Sequence, residues 1–174
     1  MVQRLTDDAE KERARQQREY QKGRRERDEA VSDVFTVFDI RMVGRERIED
    51  HDTIAFALTP KPDARPRTRE GGQMKHFKVK AWISEADHEL VKLDAEAIDT
   101  LSIGLGVFAR LHKGAQLSFL RRKVNGEVWL PASVSYQGSG RVGLLFTLRR
   151  AGTSEYSDYR KYSVETSATV TTAK

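Results

Sequence analysis

Gly104-Leu105-Gly106-Val107-Phe108-Ala109 is the stretch of this chain that most resembles a cofactor fingerprint, the Gly-x-Gly-x-x-Ala of dinucleotide-binding loops. That loop brings backbone N–H groups and a helix N-terminus to a pyrophosphate, so it needs a parallel strand before it and a helix after it. Here about ten residues separate the glycines from the next strand, too few for a crossover helix, and the flanking segments read as antiparallel. The match reads as chance. Four histidines, His51, His76, His88 and His112, show no His-x-His or His-x-x-x-His spacing that would put two metal ligands on one element. Asp50-His51-Asp52 is the one local cluster with ligand chemistry, and it falls at an expected hairpin tip, where polar residues belong anyway; Asp87-His88 reads the same way. There is no cysteine, which removes both thiol catalysis and disulfides. No Gly-x-Ser-x-Gly elbow, phosphate-cradling loop or His-Glu-x-x-His helix occurs. The residue chemistry points to a protein that is not an enzyme and calls for no metal or other cofactor.

Charge narrows the partners. The chain carries a formal +5 and a pI near 9.5, but residues 1 to 30 hold nine Lys or Arg against eight Asp or Glu, and the other 144 hold twenty-two against eighteen. No segment is a polycation. The basic groups Arg65, Arg67 and Arg69, then Arg121, Arg122 and Lys123, then Arg149 and Arg150 are short and lack the aromatic strand motif of an RNA-binding sheet. Nucleic acid is therefore not expected, while an anionic lipid surface stays open. No run approaches the ~20 apolar residues of a spanning helix, and the first residues lack the apolar core of a signal peptide.

Three regions follow from composition: a charged helical segment over 1 to 30, a β domain over 31 to 165, and a loose tail over 166 to 174. Residues 6 to 27 are rich in Arg, Glu, Gln, Lys and Ala, good helix formers with no heptad stripe, so a solvated helix is expected there and a protein partner could dock on it. Val31, Val34, Phe35 and Phe38 then fall at i, i+3, i+4 and i+7, which predicts a short second helix packing that face on a sheet. At Phe38 the period changes to two, with Phe38, Ile40 and Met42 on the expected buried face.

From there, turn chemistry predicts consecutive strands. Glu49 to Asp52 reverses the chain between strands at 38 to 48 and 53 to 59; Pro60, Pro62 and Pro66 open a loop to Gly71-Gly72; and Ser84 to Glu89 join Phe77–Ile83 to Val91–Ala97. Residues 101 to 111 are either a buried strand or a mobile apolar lip, and their length favours the strand. Asn125-Gly126 is a strong hairpin signal. Gly138-Ser139-Gly140 reads as another turn, and a last strand is expected from Tyr156 to Glu165. The expected fold is thus mainly β: a curved antiparallel meander of eight or nine strands, each paired with the next, with two helical elements before it. A sheet of that width must curl.

Ordinary core packing accounts for each large apolar residue, at roughly 2 kcal/mol of burial apiece. A half-closed sheet with few helices would nevertheless leave part of its concave face unroofed, as an apolar groove. The candidates to line it are Phe56, Trp82, Leu93, Phe108, Phe119, Trp129 and Phe146, although strand parity cannot put all of them on one face without bulges.

Three phrases carry a family resemblance: Lys75 to Leu93 (strand, acidic turn, strand), Asn125-Gly-Glu-Val-Trp-Leu-Pro131, and Tyr156-Ser-Asp-Tyr-Arg-Lys-Tyr162. Together they resemble the outer-membrane lipoprotein-sorting superfamily, most of all a branch of uncharacterised bacterial envelope proteins, over about residues 30 to 165. The resemblance implies a β half-barrel with helices across its concave side, a periplasmic or envelope location, and binding of a lipid or lipoprotein acyl chain without metal, nucleotide or covalent chemistry. Related half-barrels serve as sensors and interaction modules, so a module with a fully plugged groove is the alternative. The family carries a signal peptide and further strands upstream, so a start within a longer gene product is expected here.

Overall fold

The computed structural model describes residues 2–103, 109–142 and 146–161. A helix, α1 (Val2–Val37), runs without a break into β1 (Phe38–Ile48), followed by β2 (His51–Pro60), the short α2 (Arg69–Met74), β3 (Phe77–Ser84) and β4 (Leu90–Ala97). Then come β5 (Leu101–Ile103), β6 (Ala109–Leu111), β7 (Gln116–Val124), β8 (Val128–Val142) and β9 (Phe146–Glu155). All pairings are antiparallel, and the nine strands form one open sheet in the order β1-β2-β3-β4-β7-β8-β6-β5, with β9 on the other side of β8.

The expected simple meander resumes over β7, β8 and β9 but is interrupted after β4. The next neighbour of β4 is β7, because β5 and β6 pair with each other and attach to the far end of β8. The expected single strand at 101 to 111 is therefore two short strands, with Leu101 opposite Leu111. Gly138-Ser139-Gly140 is not a turn either, since β8 passes straight through it. These glycines serve close approach: a Cβ on Gly140 would meet the Arg110 carbonyl oxygen at 2.5 Å, and one on Gly138 would meet the Ala115 Cβ at 2.8 Å. The last strand ends at Glu155, so the one expected over 156 to 165 is absent as far as Lys161, and its remainder lies outside the described residues. The turn at Asn125-Gly126 is as expected, both residues having positive φ, 53° and 69°.

The two expected N-terminal helices are one, which crosses the boundary drawn at residue 30. Gly23 costs a helix about 1 kcal/mol, but the C-terminal turns of α1 are held by tertiary contacts that the spacing alone does not show. Val37 and Phe38 are buried in a cluster with Leu58, Ala64 and Ala81, and Val34, Phe56, Met74, Val79 and Leu90 pack around it. Val31 and Phe35, which the spacing placed on the packing face, are exposed. The segment from Lys61 to His76 closes over the same cluster. Its anchor is Asp33, whose buried carboxylate accepts hydrogen bonds from the backbone N–H of Arg67 and Thr68 and from the Thr68 hydroxyl (2.7 Å and 2.6 Å for Thr68). The Thr68 hydroxyl in turn accepts from Gly71 N–H, capping α2. The Thr68 hydroxyl, followed by the Arg67 N–H, holds the Asp33 carboxyl below its ordinary range.

Candidate functional site

Directly opposed residues in an antiparallel pair share a face, so the register itself sorts the candidates. Phe56 lies opposite Ala81, Ala81 opposite Leu93, Leu93 opposite Phe119 and Phe119 opposite Val134, one row across five strands. Beside it runs a second row, Leu58, Val79, Ala95, Leu117, Tyr136 and Gly152. Both rows lie on the face that α1 and α2 cover. The cover is partial. Phe56, Leu58, Val79 and Ala81 belong to the cluster under the helices, whereas Leu117 and Tyr136 are 40% and 47% exposed, and Leu93, Phe119 and Val134 are half-buried. The apolar face therefore starts under a roof over β2 and β3 and emerges on β7 and β8.

Of the seven groove candidates, this geometry brings together Phe56, Leu93 and Phe119. Trp82 is on the opposite face, opposite Ala55 and Lys92. It is buried there: its Nε1 donates to Glu46 (2.8 Å), and the ammonium groups of Lys80 and Lys92 each sit 4.6 Å from the ring centre. Trp129 is buried at the end of the sheet, where its Nε1 donates to Asp87 (3.2 Å) and its ring lies 4.6 Å from that of His51. Trp82 therefore does not share a face with the phenylalanines, while Trp129 lies opposite Lys123, beyond the bulge between Leu120 and Arg121. Phe108 lies outside the described residues, and of Phe146 only the backbone is described, opposite Val142. Ile40 and Met42, expected on a buried face, are exposed: β1 is an edge strand, and of its residues only Phe38 belongs to the cluster under the helices.

The opposite face is polar and holds a depression of about 910 Å³ across β3, β4, β7, β8 and β9, walled by Lys78, Lys80, Lys92, Asp94, Ser118 and Gln137 among others. Lys78, Lys80, Lys92 and Asp94 alternate with the apolar positions of β3 and β4, but alternation gives no sign that they gather round one hollow. Most of their charge is already partnered. Lys80 pairs with Glu46 (2.7 Å), and Lys92 with Asp94 (2.8 Å), which also accepts from the Ser118 hydroxyl. Lys80 first, and then the Trp82 N–H, lower the Glu46 pKa. This hollow can hydrogen-bond a polar molecule, and the row Val79, Ala95, Leu117, Tyr136 and Gly152 also borders it.

Three hairpin tips meet at one end of the sheet. Arg122 of β7 donates to Glu49 at the β1–β2 tip, Lys123 pairs with Asp87 in the β3–β4 turn (2.8 Å), Arg121 with Glu89 (2.9 Å), and Arg45 with Glu85 (3.0 Å). Glu49 and Arg122 lie on strands separated by β3 and β4, so the sheet curls here enough for side chains to reach across. Lys123 is the main cause of the lowered Asp87 pKa. The Asp50-His51-Asp52 cluster takes part in this junction through the His51 stack. Among the described residues no group of three His, Cys, Asp or Glu side chains is placed to hold a metal. No helix among them is long and apolar enough to cross a membrane. No family model, curated protein or solved structure matches the chain.

Proposed function

We propose that this protein binds an apolar ligand, a lipid or lipoprotein acyl chain, without chemistry, on the part of its apolar face that the helices leave open. One observation carries the reading: the row Phe56, Ala81, Leu93, Phe119, Val134 continues unbroken from beneath the α1 cluster to strands where its neighbours Leu117 and Tyr136 meet solvent. The uncovered part of the row, from Leu93 to Val134, spans two strand spacings of ~4.8 Å, about 10 Å. A chain lying along it would cover apolar area now in water, at about 25 cal/mol per Å². The three phrases that resemble the lipoprotein-sorting superfamily support the same ligand class, and the bacterial envelope location rests on that resemblance alone.

The test is uptake of a fluorescent fatty acid, with native mass spectrometry of the purified protein for co-purified lipid. Uptake should fall sharply in Phe119→Glu and stay unchanged in Lys78→Glu on the polar face. No uptake and no bound lipid, or equal uptake in both variants, removes the reading. A second reading, a protein-interaction or sensing module, is favoured by the solvated arm of α1, where Arg15–Glu19 and Lys22–Glu26 ion pairs hold a stretch with hardly any residue packed on it. A protein that takes up no lipid, but whose partner is lost when that arm is deleted, is this module.

A further inference from the structure

The outer edge of β1 carries no strand among the described residues. In β1 the apolar face shows Phe38, Ile40 and Met42, opposite Pro60, Leu58 and Phe56, and the polar face shows Asp39 and Arg41, opposite Thr59 and Ala57. Ile40 and Met42 are exposed. Asp39 and Arg41 are exposed too, and among the described residues neither takes part in an ion pair. A bulge between Met42 and Gly44 ends the regular stretch. We infer that this edge is the interface of a two-fold dimer in which β1 pairs antiparallel with the partner copy's β1, centred on Ile40.

The register follows from charge and parity. A two-fold pairing that keeps apolar side chains on the apolar face must centre on a residue, because a half-residue centre would set each apolar side chain opposite a polar one. Centring on Asp39 sets carboxylate against carboxylate, and centring on Arg41 sets guanidinium against guanidinium. Centring on Met42 runs into the bulge. Centring on Ile40 places Asp39 opposite the second copy's Arg41, twice by symmetry, with Ile40 against Ile40 and Phe38 against Met42 on the other face. Opposite charges directly across a strand pair stabilise it, and like charges oppose it. The last turn of α1 packs toward the inner side of β1, where Val34 and Val37 join the cluster of Leu58 and Ala81. The apolar face of one copy would then continue into that of the other.

The full chain is examined by sedimentation velocity over a concentration series. A dimer is expected to form with rising concentration. Its dissociation constant should weaken about tenfold or more in Asp39→Arg and in Arg41→Asp, and recover in the double swap, as expected for cross-strand pairs turned from attractive to repulsive and back. Because the chain has no cysteine, Ile40→Cys gives a second measurement. Residues directly opposed across strands are close enough for a disulfide, so mild oxidation should link two copies through this position. The exposed turn variant Glu127→Cys should not link, and adding Asp39→Arg to Ile40→Cys should abolish linking. A monomer at every concentration overturns the inference and leaves the edge to a strand of a different protein. So does a dimer indifferent to both charge reversals, or equal linking through Glu127→Cys.

Discussion

Replacing Val37 by Ala, beside a Phe35→Ala comparison, separates the packing face that α1 has from the one its spacing suggested. Val37 is fully buried among Phe38, Leu58, Ala64 and Ala81, whereas Phe35, two residues earlier, is 67% exposed. Val37→Ala removes two methyl groups, about 1.6 kcal/mol of transfer free energy at ~0.8 kcal/mol each. The cavity left between α1 and the sheet adds on the order of 1 kcal/mol, for a total near 2.5 kcal/mol. For a chain of this size each kcal/mol lowers Tm by about 2–4 °C, so the loss should be about 5–10 °C. Phe35→Ala removes more atoms but little buried area, and should stay within about 0.5 kcal/mol of the parent. Thermal unfolding followed by far-ultraviolet circular dichroism measures both. If α1 packed through Val31, Val34, Phe35 and Phe38, Phe35→Ala would cost about 3–5 kcal/mol, as truncations of buried aromatics do. A larger Tm loss from Phe35→Ala than from Val37→Ala refutes the placement of the helix.

Neighbouring glycines of α2 give an equally sharp contrast. A Cβ on Gly71 would collide with the Asp33 carboxylate and come within 2.6 Å of the Pro66 Cβ, while one on Gly72 meets nothing. Gly71→Ala should therefore cost about 1–3 kcal/mol by overpacking, and Gly72→Ala should be neutral or slightly stabilising; equal effects in urea unfolding would contradict the Asp33 anchor. The carboxyls of Asp33, Glu46 and Asp87 all have folded-state pKa values below their ordinary ones. Their stabilising effect is accordingly complete above the ordinary carboxylate range near pH 4 and is lost as pH falls through the lowered values. Tm should be level from neutral pH to about pH 5 and drop below about pH 4, with a shallower drop in an Asp33→Asn, Glu46→Gln, Asp87→Asn variant; a level Tm down to pH 3 would count against these partners. Both tryptophans are buried, so native fluorescence should be blue-shifted, poorly quenched by acrylamide and strongly red-shifted on unfolding. Emission typical of exposed indole would show that the Glu46 and Asp87 contacts do not form.

Much of this architecture is local and was legible as such. Alternation over Phe77–Ile83, the change of period at Phe38 and the two left-handed positions at Asn125-Gly126 each depend on a few adjacent residues, and each appears where the pattern puts it. Parity likewise already barred Trp82 from the face of Phe77, Val79 and Ala81. What the pattern lacked was pairing partners. That β4 continues into β7, that β8 runs through Gly138 and Gly140, and that Val37 outranks Phe35 in burial all depend on contacts between residues far apart in the chain. Glycine is ambiguous in sequence because it permits a turn and a close approach alike, and only the Ala115 and Arg110 atoms beside Gly138 and Gly140 decide between them. The same holds for the site. Side-chain type alone showed that Phe56, Leu93 and Phe119 are apolar, but whether such residues become sealed core or open surface depends on how far the helices extend over the sheet. In this protein they cover β2 and β3 and leave Leu117 and Tyr136 on β7 and β8 exposed.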